Sequence, residues 1–125
     1  NYIALSEEPD SIRKKVQSMF TDPARVKRSD PGHPNKCNVH SYYEVFAPDM
    51  AKEVARQCRH SEIGCTDCKK QLAEIIAKFL EPVQEKRKEL LSDKKHIIEI
   101  LDNGKEKASK AAKATISQVK DALKL

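Results

Sequence analysis

The chain has 125 residues, a net charge of +5, 34% charged and 38% hydrophobic residues, and only three glycines. That suffices for one domain with a modest core, and not for an elaborate independent enzyme. The mixture suits solvated amphipathic helices rather than a sandwich or barrel, and no apolar run approaches the roughly 20 residues that span a bilayer.

The basic balance suits a polyanion such as RNA as readily as it suits a merely solvated surface. No signal peptide precedes the domain, so the expected location is cytoplasmic. The chain begins at Asn1 without a methionine, and is expected to be a fragment of a longer protein.

A first helix is predicted from Pro9, a favoured first-turn residue. Ile12, Val16 and Met19 or Phe20 form its apolar stripe, with Arg13, Lys14 and Lys15 outside. Residues 21–36 follow, punctuated by Asp22-Pro23 and by Asp30-Pro31-Gly32-His33-Pro34. The prolines forbid a regular helix and call for a fixed turn that leads directly into Cys37. Asn38 is the expected N-cap of a short helix carrying Val39, Tyr42, Tyr43 and Phe46, aromatics whose spacing suits a core better than base stacking.

Pro48 and Asp49 open a third helix with Met50, Val54, Ala55 and Cys58 on one face, ending in a turn that Gly64 supplies. Cys65 is placed in that turn, Asp67 as a cap, and Cys68 in the first turn of a fourth helix. That helix is long, from Leu72 through Ile76, Leu80 and Val83 to Leu91, with a kink or break expected at Pro82. A last helical region starts near Ile97, is weakened at Asn103-Gly104, and carries a small-residue stripe along Ala108, Ala111, Ala112 and Thr115. Everything reads as helix.

Nothing here suggests a phosphate loop or a nucleophile with its base, and tryptophan is absent. The chemistry lies in four cysteines, Cys37, Cys58, Cys65 and Cys68, spaced C-x20-C-x6-C-x2-C. A C-x2-C with two upstream partners is a metal-site signature, because a turn entering a helix points both sulfurs the same way. Two disulfides are the alternative for a secreted chain. Structural zinc prefers two tight pairs, and one pair with single partners also suits a cluster held by four thiolates, so spacing alone leaves zinc and iron–sulfur open. Lys36, Arg56, Arg59, Lys69 and Lys70 stand near to offset the thiolate charge. His33, His40 and His60 lie in polar stretches and read as solvated, and His96 is remote.

Asn1-Tyr2-Ile3, Asp10-Ser11-Ile12-Arg13-Lys14-Lys15, Thr21-Asp22-Pro23, Arg28-Ser29-Asp30-Pro31-Gly32-His33-Pro34 and Cys37-Asn38-Val39 together resemble the C-terminal part of bacterial tryptophanyl-tRNA synthetases. The likeness covers nearly the whole chain and includes the closing pattern Gly104, Ala108, Ala111, Ala112, Thr115, Val119. It implies an all-α helical bundle, residues 1–125 as a single anticodon-binding domain, and a catalytic half lying outside this chain. Asn1 would follow closely on the lysine-rich signature loop of the class I active site. The resemblance further implies a parent that uses tryptophan, ATP and Mg to charge tRNA(Trp), usually as a homodimer, with no membrane role. The four cysteines resemble those of the subset with a [4Fe-4S] cluster, which favours the cluster over zinc.

On this reading no residue of the chain is catalytic. Arg25, Lys27, Arg28, Lys36, Arg59, Lys69 and Lys70 flank the cysteines and are the expected phosphate-facing surface, whereas the lysines at 105, 107, 110 and 113 are a solvated face. Two rival readings are a zinc-stapled helical interaction module and a small iron–sulfur redox protein.

Overall fold

Every regular element is helical among residues 2–124, which the computed structural model describes. Asn1, where the family resemblance begins, and Leu125 lie outside the described residues. In chain order the elements are α1 (Pro9–Ser18), a 3-10 turn (Pro34–Lys36), α2 (Asn38–Phe46), α3 (Pro48–Arg59), α4 (Cys65–Ser92) and α5 (Lys94–Leu123). The chain divides into two compact units, Asn1–Gln84 and Glu85–Leu125, with the division falling inside α4.

In the first unit, α1 and α3 begin on Pro9 and Pro48 as expected, since proline's fixed φ suits the first turn and its missing N–H is no loss there. Ile12 and Val16 of α1, Val39 and Tyr43 of α2, Val54 of α3, and Leu72, Ile76 and Leu80 of α4 form the buried core. Met19 packs on its edge while Phe20 is 59% exposed, which resolves the alternative at the end of α1. Tyr43 is fully buried and Tyr42 and Phe46 lean on the core, so this aromatic set is structural. In α3 the inward face is Ala51, Val54 and Ala55, and Met50 is 45% exposed. Val54 and Ala55 lie on the expected face with Cys58 half-buried beside them, and only Met50 gives way to Ala51, about 100° around the helix.

Several local expectations are corrected. Asn38 is the first residue of α2, and Cys37 occupies the N-cap position without a side-chain cap bond. The turn that ends α3 does not use Gly64, which has no positive φ; Ser61 takes the left-handed conformation at φ 59°. The Glu62 N–H reaches back to Gln57 O at 2.8 Å and the Ser61 N–H to Cys58 O at 3.2 Å, the paired bonds of a Schellman end. The Ser61 hydroxyl donates to Ser29 O at 2.9 Å, tying this turn to the loop before α2. Cys65 is therefore already the first residue of α4.

Pro82 does not break α4, which runs on to Ser92. The core-facing turns on the N-terminal side, through Leu80, hold the helix across the lost hydrogen bond. In the second unit, α5 is capped by Asp93, whose carboxylate accepts the His96 N–H at 3.0 Å. It runs without interruption through Asn103-Gly104, because a single glycine costs only about 1 kcal/mol against a 30-residue helix. No residue of α5 is buried, so its small-residue stripe has no partner among the described residues. No helix is long and apolar enough to cross a membrane.

Candidate functional site

The loop before α2 is built on two aspartates. Asp22 is buried, and its carboxylate accepts from the Ala24 N–H at 3.0 Å, the His33 N–H at 2.9 Å and His33 Nδ1 at 2.8 Å. The His33 bond, with the two backbone donors, holds this carboxyl below the usual range against the opposing cost of burial. Asp30 accepts the Lys27 N–H at 2.7 Å. The fixed turn expected from Asp-Pro-Gly-His-Pro is thus closed by side-chain carboxylates, and it carries Gly32 against the end of α3. There the Gly32 N–H donates to Cys58 O at 3.0 Å.

Three segments bring the thiols together. Cys37 caps α2, Cys58 lies in the last turn of α3, and Cys65 and Cys68 stand three residues apart on the first turn of α4, where such pairs share a face. All four are unbridged and half-buried. Burial pushes the Cys68 thiol up to about 12, and the other three thiols lie close enough to add to the rise. Cys58 is also raised, by burial first, with Arg25 pulling it down and Cys37 and Cys65 raising it further. Uncompensated thiolates are costly here, so these two stay protonated unless a cation draws the protons off.

Arg25 supplies one positive charge. Its Nη1 lies 3.8 Å from Cys58 Sγ and 3.9 Å from Cys65 Sγ, so those sulfurs are no further apart than the two lengths laid end to end. Arg25 Nη2 donates to Arg28 O at 2.7 Å, while Nε is buried without a protein acceptor. A Cβ on Gly32 would collide with Cys58 Sγ, so the backbone here packs directly against that sulfur. The Tyr43 hydroxyl donates to Cys68 O at 2.9 Å, fixing the first turn of α4 against α2. Among the described residues, however, no three of His, Cys, Asp and Glu are arranged to grip one metal ion. Four soft thiols and an unclaimed N–H are the donor chemistry that a thiolate-held inorganic centre uses.

The predicted basic residues separate into two groups. Lys27, Arg28, Lys36, Arg59 and Lys70 are exposed. Arg25 instead turns inward to the sulfurs, and Lys69 spends its ammonium on Gln17 O at 2.9 Å. Arg56 is engaged by Glu53 and Glu62. Of the histidines, His40 is half-buried with Nε2 3.2 Å from Ala51 O, and His60 Nδ1 lies 2.8 Å from Arg56 O. Neither joins the thiols. Sequence reasoning missed the roles of Arg25, Gly32 and Tyr43 here; only the proline-rich turn ahead of Cys37 signalled that this segment is held in place.

Comparison with known proteins places these features in context. The sequence model of the family described as tRNA synthetases class I (W and Y) matches residues 1–81. Tryptophan--tRNA ligase of Aquifex aeolicus is 35% identical over the whole chain, which covers 32% of that protein. The Deinococcus radiodurans protein of the same description is 36% identical over 96% of the chain, covering 37% of its own length. That of Thermotoga maritima is 34% identical over the whole chain, covering 39% of its length. The chain thus spans about a third of the length of the curated relatives it matches.

Proposed function

This chain belongs to the class I tRNA synthetases (W and Y), and we propose that it is the anticodon-binding region of a tryptophan-tRNA ligase. The parent protein would activate tryptophan with ATP and Mg and transfer it to the tRNA(Trp) 3′ end, working as a cytoplasmic homodimer. The observation that carries the reading is likeness to such ligases along the whole chain, combined with exposed basic residues that are unpaired among the described residues. Lys27, Arg28, Lys36, Arg59 and Lys70 take no part in the ion pairs found among the described residues, so their charge is available to phosphates.

We further propose that Cys37, Cys58, Cys65 and Cys68 hold a [4Fe-4S] cluster. Zinc with Zn–S bonds of ~2.3 Å would draw its sulfurs into a tight tetrahedron. Four thiol donors on three segments and the unclaimed Arg25 Nε support a thiolate-held centre, and the resemblance of the cysteine spacing to the cluster-bearing subset favours the cluster. When bound, the cluster supplies a rigid crosslink among four sulfurs. The chain's own residues supply the rest: Tyr43 fixes the α4 turn, Gly32 packs against Cys58 and sets its position, and Arg25 offsets thiolate charge.

The test uses the full-length protein. Tryptophan-dependent ATP–pyrophosphate exchange and charging of tRNA(Trp) establish the parent activity, and their absence rejects it. Replacing Lys27, Arg28, Arg59 and Lys70 with alanine is expected to weaken tRNA binding and flatten its salt dependence, by ~0.7–0.9 of slope per lost phosphate contact. An unchanged slope removes these residues from the interface. Anaerobic purification with iron, sulfide and zinc counts decides the centre; zinc without sulfide would replace the cluster.

A further inference from the structure

Arg25 stands apart from the other basic residues of the chain. Its backbone N–H donates to Asp22 O at 3.2 Å, so it is placed by the turn that the buried Asp22 carboxylate closes. Its Nη2 is anchored on Arg28 O at 2.7 Å, and its Nη1 is shared between Cys58 Sγ at 3.8 Å and Cys65 Sγ at 3.9 Å. Gly32 lies alongside: a Cβ there would come within 3.3 Å of Arg25 Cδ, so the glycine also leaves the path of this side chain open. No carboxylate engages Arg25 among the described residues, unlike Arg56, which Glu53 and Glu62 neutralise. A fixed, half-buried positive charge therefore points at two of the four sulfurs, with its Nε–H still unclaimed.

We infer that Arg25 is a positioning and charge-compensating residue of the sulfur pocket, which raises the reduction potential of the cluster held there, and is not a phosphate contact. This rests on the proposal that the four thiolates hold an iron–sulfur cluster. Reduction adds an electron to a centre that four thiolates already make negative. A guanidinium at this distance stabilises the reduced form more than the oxidised one, as do N–H donors aimed at cluster sulfur. The planar fork serves both needs at once, one nitrogen for the anchor and one for the sulfurs.

The experiment is redox titration of the anaerobically purified full-length protein, followed by the EPR signal of the reduced cluster, beside iron and sulfide counts. Arg25→Gln keeps N–H donors and removes the charge. It is expected to lower the reduced-to-oxidised ratio at a fixed potential about tenfold, equivalent to 59 mV for a one-electron couple. A merely structural arginine would change the amount of cluster but not the potential of the loaded fraction, so an unchanged potential overturns the inference. If the wild-type protein carries no iron and sulfide, the cluster proposal itself falls and the inference with it. Should Arg25→Gln load no cluster, Arg25→Lys decides. Recovery of loading with a near-wild-type potential supports the charge role, and failure to recover rejects it.

Discussion

Gly32 donates its N–H to the Cys58 carbonyl at 3.0 Å while its Cα faces the Cys58 sulfur, leaving no room for a methyl group between them. This single contact locks the Asp-Pro-Gly-His-Pro turn onto the end of α3 and sets the sulfur's position. The glycine is required by close approach and not by backbone conformation, since it has no positive φ.

Gly32→Ala is accordingly expected to push Cys58 out of place. Overpacking of this kind costs about 1–3 kcal/mol, and, on the proposal that the thiols hold a cluster, the iron content of anaerobically purified full-length protein should fall with it. Thermal unfolding and iron analysis read the two effects. An alanine variant with wild-type melting temperature and iron content would show that the contact is not needed.

Tyr43 is fully buried, and burial raises its ionisation above the ordinary tyrosine value, so it remains a neutral hydroxyl donor to Cys68 O. Tyr43→Phe keeps the ring and deletes only the hydrogen bond. The expected loss is about 1 kcal/mol in urea unfolding, with the loop and helix assignments unchanged. No measurable loss would mean that the ring alone fixes this turn.

Acid should weaken the first unit through two carboxylates. Hydrogen bonds from Lys15, Ser11 and the Ala4 N–H hold Glu7 down at about 2, against 4.5 for the free group. A carboxyl lowered in the folded state contributes stability above its unfolded value, and that contribution is lost as pH falls through the folded value. The window for Glu7 is therefore from about pH 4.5 down to about 2. Asp22, lowered chiefly by His33, acts in the same direction from 3.8 downward. Glu7→Gln and Asp22→Asn should each flatten the acid limb of melting temperature against pH. A limb as steep as that of the parent protein would reject the assignment.

Gly104 lies inside α5, where an added Cβ meets nothing within 4 Å. Gly104→Ala is expected to stabilise the helix by about 0.5–1 kcal/mol, because alanine loses less backbone freedom on folding. Circular dichroism melting of the full-length protein reads the gain. A lower melting temperature would reveal a neighbour that crowds this position.

The sequence by itself determined the helical character, the starts at Pro9 and Pro48, the inward stripe of Ile12 and Val16, and the sulfur spacing. Each rests on proline's fixed φ or on the 3.6-residue repeat, properties that neighbouring residues set without help. Tertiary structure decided the rest. Ser61 takes the left-handed turn in place of Gly64 because its hydroxyl finds Ser29 O, 32 residues away along the chain. Arg25 and Lys69 read as surface cations, yet one turns to the thiols and the other to a carbonyl of α1. A side chain's partner depends on which distant backbone arrives beside it, and local residue chemistry carries no record of that meeting.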